Sequence, residues 1–308
     1  MRHRVLVVTG PTASGKTSAA LEVCLRLGGE LVSADSMQVY RGMDIGTAKS
    51  SLEERKGVPH HLIDVIDPNC PFSVADYALL ARAAIREVLE RGRIPVVCGG
   101  TGQYVSALVD ELTFHSSPPD EIVRKRLHSE AESLGNDAML ERLRLIDPES
   151  AARLHPNDRR RILRALEINE STGRTLSEMN RLSHPAEKEF VFKTFVLNPD
   201  KETLYQRCDQ RVDLMLEMGL LDEIERLIAQ GVSPTAQSMQ AIGYKQLLEF
   251  RAGKSTLPES IEQVKKATRN YAKRQLTWFR GLKEASWIQS DPTSPSGIPV
   301  RILSEFIL

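Results

Sequence analysis

The chain has 308 residues, 41% of them hydrophobic and 27% charged, with 41 Lys plus Arg balanced by 41 Asp plus Glu. That composition is globular, leaves enough material for one large domain or two, and contains no apolar run near the ~20 residues that a bilayer span needs. The short apolar stretch after "MRHR" runs straight into a glycine loop, which a secretory signal does not do, so the expectation is a soluble cytoplasmic protein.

"RVLVVTG" is a β-branched run ending in glycine, the pattern of a strand. Ala20, Val23, Cys24 and Leu27 then recur at i, i+3, i+4 and i+7, which predicts an amphipathic helix closed by Gly28. Between them, Gly10, Pro11, Thr12, Ala13, Ser14, Gly15, Lys16 and Thr17 complete G-x-x-x-x-G-K-[ST] in the strand-to-helix context that this motif requires. The glycines let backbone N–H groups converge and the helix N-terminus adds partial positive charge. Lys16 can reach terminal phosphates and the Thr17 hydroxyl suits Mg²⁺. A phosphorylated ligand follows from this motif, whereas phosphoryl transfer does not. "ELVSAD", the next strand, is the one good candidate for an apolar strand ending in an aspartate, and Asp35 at its end reads either as a second-sphere Mg²⁺ ligand or as a general base facing an acceptor.

"HHLIDVI" is a third candidate strand and "IPVVCGGTG" a fourth. Between them Ser73 and Asp76 have capping-box spacing at the start of a helix striped by Tyr77, Leu80, Ala81, Ala84, Ile85 and Val88. Thr101, just past the fourth strand, reads as a helix N-cap or as a ligand contact. Strands alternating with helices predict an α/β fold, a parallel sheet flanked by helices with its functional loops at the strand carboxyl ends. From about His115 the chain turns charged, helical and strand-poor, bounded by Pro118 and Pro119 at one end and Pro185 at the other. "FVFKTFVLN" then returns as a strand, followed by helix to the end apart from the turn-rich connection "SDPTSPSG". That order predicts a core of residues 1–114 and 189–308 interrupted by an α-helical insertion, residues 115–188.

Cys24, Cys70, Cys98 and Cys208 are scattered and form no zinc-type spacing, so they are expected to be reduced and half-buried, and His60 and His61, lacking a third ligand, to be structural. The neutral chain nevertheless concentrates basic residues. Lys265, Lys266, Arg269, Lys273, Arg274, Arg280 and Lys283 form one run without an acid between them, and Arg159 to Arg161 lie in another, either of which could meet a polyanion or be a solvated helix face. Ile261, Val264, Tyr271, Trp278 and Leu282 recur at helical spacing and read as core.

"LVSADSMQVYRGMDIGTAK", "GVPHHLIDVIDP", "IPVVCGGTGQY", "PNDRRRILRALEI", "RVDLMLEMGLLDEI", "QAIGYKQL" and "TRNYAKRQLTWFR" follow one another in an order that closely resembles the tRNA dimethylallyltransferase family, from about residue 4 to 290. The resemblance implies a P-loop NTPase-like core whose loop holds dimethylallyl diphosphate rather than ATP, with Mg²⁺ at Thr17. It implies transfer of the dimethylallyl group to N6 of the adenosine 3′-adjacent to the anticodon of tRNA, with diphosphate released. It assigns Asp35 as general base, Lys16 and Arg211 to the diphosphate, and Thr101 to the adenine. Contacts with the tRNA anticodon stem-loop would come from Asp35, Ser36, Met37, Gln38 and Thr101 at the target nucleotide, and from Arg124 and Arg159, Arg160, Arg161, Ile162 and Leu163 in the insertion. Gln240, Ala241, Ile242, Gly243, Tyr244 and Lys245 match a further RNA-facing segment, although Ile242 and Gly243 equally suit packing. The resemblance is to the bacterial type, for which the C-terminal zinc finger of eukaryotic relatives is not expected, and Ser50 replaces a proline common in the family. The expected form is a bacterial-type monomer.

The chemistry agrees with this resemblance. An exocyclic adenine amine is a weak nucleophile that benefits from a carboxylate accepting its proton, and a departing diphosphate benefits from amides and cations around it. A stacked adenine must leave the stack to reach a recessed donor, and an amide such as that of Gln38 can read an adenine edge. The rival readings are prenyl transfer to free AMP, a small-molecule or nucleotide kinase with the insertion as lid, and an ATP-dependent RNA-binding module.

Overall fold

The computed structural model describes residues 3–114, 120–290 and 297–307. The expected domain start at 115, the bounding prolines 118 and 119, and most of the "SDPTSPSG" connection lie outside them. The chain divides into two compact units, one of Met1–Val109 with Glu189–Leu308 and the other of Asp110–Lys188.

The first unit is a six-stranded parallel sheet: β1 (His3–Thr9), β2 (Glu30–Ser33), β3 (His60–His61), β4 (Pro95–Gly99), β5 (Phe190–Pro199) and β6 (Ser286–Ser290), in the order β3-β2-β4-β1-β5-β6. β1 is apolar on both faces, as a strand covered on both sides must be. Its Val5 and Val7 pack with Val32, Val97, Val196, Tyr77 and Phe279, while Leu6 and Val8 pack with Ala20, Val23, Leu197, Ile302 and Phe306 on the other face. The first face carries α2 (Val74–Glu90) and α3 (Gly102–Val109), and the second carries α1 (Lys16–Leu27). α1 ends at Gly28 in the left-handed conformation, and α2 begins with the Ser73/Asp76 capping box, both as the sequence predicts.

The other unit contains α4 (Glu121–Leu134), α5 (Asn136–Ile146), α6 (Pro148–Ala151), α7 (Arg159–Thr172) and α8 (Leu176–Leu182) around a core that includes Leu127, Met139, Leu143, Ile162, Leu163 and Leu166. Asp147, 2% exposed, joins two of its helices by accepting from Ser150 N at 3.0 Å and Ser177 N at 2.9 Å. After β5, the first unit adds α9 (Lys201–Glu217), α10 (Leu220–Ala229), α11 (Tyr244–Arg251), α12 (Leu257–Phe279) and α13 (Gly297–Ile307).

Two strand expectations need correction. "HHLIDVI" forms a strand only at His60–His61, because Leu62 and Asp64 turn into positive φ at 63° and 58° and break the extension. The stretch after β5 is not wholly helical: Ser286–Ser290 pairs parallel with β5 as the edge strand β6, too short to stand out by periodicity. Three cysteines expected to be half-buried, Cys24, Cys98 and Cys208, are fully buried, and Cys70 is exposed. Among the described residues no helix is long and apolar enough to cross a membrane.

Glu30 opens β2 with its side chain only 4% exposed and meets Arg91 at 2.7 Å and His61 Nε2 at 2.7 Å, which gives the histidine its structural role. The Arg91 hydrogen bond, opposed by burial and aided by His61, holds the Glu30 carboxyl below its usual range. Its contribution to stability is therefore present above the ordinary glutamate value of ~4.3 and is lost as pH falls below it through the lowered folded-state value. Glu30→Gln should melt below the wild type at pH 7, with the gap closing as thermal scans are repeated from pH 5 down to pH 3.

Candidate active site

The loop after β1 reverses into α1 at Gly15, which holds φ 82° at the helix N-cap. Lys16 is the first residue of that helix and its Nζ donates to Pro11 O at 3.1 Å. Burial lowers the affinity of this ammonium for its proton, Cys98 and Asp35 act in the opposite direction, and Arg211 reinforces the lowering. Ser14 is 1% exposed and its hydroxyl has no hydrogen-bond partner, a condition that a phosphate oxygen would relieve.

The carboxyl ends of β1, β2 and β4 are laced together beside this loop. Thr9 Oγ1 donates to Gly99 O at 2.7 Å, Ala34 N to Cys98 O at 2.8 Å, and Thr101 N to Ala34 O at 3.1 Å. A Cβ on Gly99 would stand 2.2 Å from the Ala34 carbonyl carbon, so the approach admits only glycine. Asp35 Oδ1 accepts from Met37 N at 2.9 Å and Gln38 N at 3.3 Å, an Asx turn that fixes the carboxylate at the head of the next loop. Thr101 Oγ1 accepts from Ser36 N at 3.0 Å and donates to Ser36 Oγ at 3.2 Å, so its hydroxyl binds the Asp35 loop. The Gln38 amide is also engaged: its Oε1 accepts from Ser33 Oγ at 3.2 Å and its Nε2 donates to Thr47 O at 3.2 Å and Ala48 O at 3.3 Å.

Thr12 to Thr17, Asp35, Gln38, Lys49, Arg211, Tyr271 and Gln275 line one cavity of about 1540 Å³. Arg211, on α9, donates to Thr12 Oγ1 at 3.1 Å. Burial lowers its pKa, while Cys208 and Asp35 act to raise it. The cavity thus brings the buried cations Lys16 and Arg211 together with the anchored Asp35 carboxylate, equipment for gripping a polyanion while a neighbouring group gives up a proton.

Two cavity residues escaped the sequence reading. Gln275 accepts from Thr12 N at 2.8 Å and donates to Gly100 O at 2.7 Å, tying the phosphate loop to the end of β4. Tyr271, assigned above to a core stripe, instead lines the cavity, and burial pushes its phenol up to about 12 with Asp35 adding to the shift. Both lie on α12 one turn apart, and a glutamine beside a tyrosine on an otherwise apolar face was the available signal. Trp278 also leaves the core, being 44% exposed with its indole N–H on Ser106 Oγ at 2.9 Å; Val264, at 3%, does belong to it.

The residues assigned to RNA separate by exposure. Arg160 and Arg161 are exposed on α7, whereas Ile162 and Leu163, 0% and 4% exposed, belong to the core of their own unit, which corrects the reading of their side chains as RNA-facing. Arg124 donates to Glu167 at 3.0 Å and Arg159 to His128 O at 3.1 Å. Gln240 and Lys245 are exposed and Ala241 and Ile242 half-buried; Gly243 is buried, in line with its packing alternative, and the full burial of Tyr244 corrects the reading of its side chain as RNA-facing. In the basic run of residues 265–283, Lys265 pairs with Asp213 at 2.7 Å, Arg269 pairs with Asp209, and Lys266, Lys273, Arg274, Arg280 and Lys283 are exposed. Among the described residues, no group of three or more His, Cys, Asp or Glu side chains could hold a metal. Mg²⁺ shared between a hydroxyl such as that of Thr17 and phosphate oxygens needs no such group.

The IPP transferase family model matches residues 38–282, and an isopentenyl transferase model matches residues 3–65. The tRNA dimethylallyltransferase of Pelotomaculum thermopropionicum is 45% identical over 288 residues, covering 94% of this chain and 91% of that protein. The tRNA dimethylallyltransferase of Bacillus subtilis is 44% identical over 293 residues, covering 94% and 92%. The structure of the tRNA isopentenylpyrophosphate transferase of Bacillus halodurans superposes with a TM-score of 0.72 at 42% identity over 100% of this chain and 97% of that one. A eukaryotic dimethylallyltransferase acting on tRNA superposes with a TM-score of 0.80 at 31% identity, over 99% of this chain and 79% of that one.

The two cavity cations should report directly on anion binding. Lys16→Met and Arg211→Met should each weaken binding of inorganic diphosphate, measured by titration calorimetry, by about tenfold or more, since hydrogen bonds to charged groups contribute ~1.5–3 kcal/mol.

Proposed function

The chain belongs to the tRNA dimethylallyltransferase family of prenyltransferases, and from that premise we propose a residue-level course for its reaction. Dimethylallyl diphosphate binds with its diphosphate in the loop of residues 10–17, Lys16 and Arg211 neutralising its charge. The target adenosine of tRNA, 3′-adjacent to the anticodon, leaves its stack and presents N6 to the Asp35 loop, where Ser36, Met37 and Thr101 surround it. The N6 lone pair forms a bond to the terminal allylic carbon, the C–O bond breaks with its electron pair going to diphosphate, and the N6 proton passes to Asp35. The observation that carries this reading is the anchored Asp35 carboxylate in the same cavity as Lys16 and Arg211. It supplies the acceptor side with a base while the opposite wall stabilises the leaving group.

Thr17 and the substrate's own phosphate oxygens would hold Mg²⁺, which when bound adds charge stabilisation to the leaving diphosphate. Gln38 could read the adenine edge only by releasing its bonds to Thr47 and Ala48, and Thr101 could meet the adenine only by yielding its bonds to Ser36. In the helical unit, the exposed Arg160 and Arg161 are the better candidates for RNA phosphates, with Arg124 and Arg159 available if their present partners yield. Exposed Gln240 and Lys245 supply polar contacts on the other unit.

Transfer of labelled prenyl from dimethylallyl diphosphate into an anticodon stem-loop tests the reading. Asp35→Asn should lower the single-turnover rate by about a hundredfold or more, within the range of general-base contributions, while diphosphate and RNA binding persist. An undiminished rate removes Asp35 as base. AMP accepted in place of RNA, or ATP consumed to a phosphorylated product, would establish one of the rival activities. Binding of the stem-loop should weaken as salt rises, with a shallower slope in Arg160→Ala and Arg161→Ala; a salt-independent affinity removes the basic RNA face.

A further inference from the structure

Glu223, on α10, has a side chain only 1% exposed and lies outside the cavity. Its carboxylate takes four hydrogen bonds, two on each oxygen. Oε2 accepts from Asp44 N at 2.9 Å and Ile45 N at 2.8 Å, and Oε1 from Gly46 N at 3.2 Å and the Tyr244 hydroxyl at 2.6 Å. Burial first, then the adjoining carboxylate, raises the Tyr244 phenol well above its ordinary value, so it remains a donor. The tyrosine ring lies against Gly46, where a Cβ would come within 2.4 Å of Cε2. Three consecutive amides turned toward one buried carboxylate fix the path of the backbone, because removing the acceptor would leave all three without a partner.

The fixed segment continues into the site. Thr47 O and Ala48 O receive the Gln38 amide, and Gln38 N, with Met37 N, holds Asp35 Oδ1. Lys49, with its side chain 3% exposed, closes the far end by donating to Tyr40 O at 2.6 Å, Asp44 Oδ1 at 2.8 Å and Asp64 Oδ1 at 2.5 Å. An unbroken series of hydrogen bonds and short backbone steps thus runs from Glu223 to the proposed base.

We infer that Glu223 is a positioning residue for prenyl transfer: by holding the turn at Asp44–Gly46 it sets Gln38, and through Gln38 the orientation of the Asp35 carboxylate. The inference rests on Asp35 as base. It gives Tyr244 a place in the reaction from within the core, as the fourth donor to the carboxylate, and it gives Gln38 a task that needs no contact with adenine. Glu223→Gln keeps the volume but replaces an acceptor oxygen with an NH₂ that faces other donors, so the turn should relax and Asp35 should lose its alignment. The effect belongs on the rate of the bound complex, since loss of alignment is felt at the transition state.

The test is a double-mutant cycle on the single-turnover rate, with dimethylallyl diphosphate and stem-loop RNA both saturating. Glu223→Gln and Gln38→Met should each lower the rate by about tenfold or more, a fraction of what an ångström-scale misplacement can cause. The double variant should be little slower than either single one, because both break the same series of contacts. Multiplicative losses in the double variant, or a wild-type rate in either single one, overturn the inference. If Glu223→Gln does not fold, Tyr244→Phe, which keeps the ring against Gly46 and removes one donor, replaces it in the cycle under the same criteria. Asp35→Asn run alongside separates the two claims. A wild-type rate there fails the assignment of the base, whereas a dead Asp35→Asn with multiplicative losses in the cycle fails the positioning role alone.

Discussion

The site depends on how closely three parallel strands approach at their carboxyl ends. β1 must deliver a phosphate loop and β2 a carboxylate into one cavity, with the threonine after β4 holding the carboxylate's loop, although each backbone also has to satisfy its own polar groups. The structure meets both demands at once. Thr9, Ala34 and Thr101 exchange hydrogen bonds across the strand ends, and Gly99 removes the side chain that would separate β4 from Ala34. A side chain at Gly99 would push apart the strand ends that carry Asp35 and Thr101, because close-packed interiors pass displacement on rather than absorb it.

The electrostatics complete what that geometry begins. Lys16 and Arg211 are both lowered in pKa by burial, and Arg211 adds to the lowering at Lys16, so the cavity holds two cations in tension with their surroundings. The Asp35 carboxylate acts against the lowering at both. A diphosphate would relieve this tension, and the extra negative charge that develops as the C–O bond breaks would relieve it further, which is the direction in which binding energy becomes rate.

What could be read in the sequence was whatever has a local cause. The phosphate loop needs glycines and a lysine at fixed spacing, the caps at Ser73 and Gly28 work within a turn, and the alternating strands and helices carry their own periodicity. The partners of Gln275 and Glu223 carry no local signal, since one acts on Thr12 and Gly100 and the other on residues 44–46, each far away in the chain. β6 was hidden because an edge strand of five residues has too few positions for a period to show, and β3 was overestimated because its composition is β-like while its backbone turns at Leu62 and Asp64. The assignments that failed on exposure, Ile162, Leu163 and Tyr244, came from carrying whole motifs onto a ligand when only some of their residues reach the surface.

Tyr244 shows why a motif can be extended without every residue in it touching substrate. The segment from Ser36 to Lys49 crosses the site with little regular secondary structure, so its amides and carbonyls need partners that a helix or sheet would otherwise supply. Asp35, Gln38, Lys49, Glu223 and Tyr244 supply them, using five polar side chains to hold one loop. The polar character of "SADSMQVYRGMDIGTAK" and the buried position of Tyr244 then have one origin. A carboxylate placed on irregular backbone requires a polar scaffold behind it, and two members of that scaffold, Glu223 and Tyr244, come from helices and lie outside the cavity.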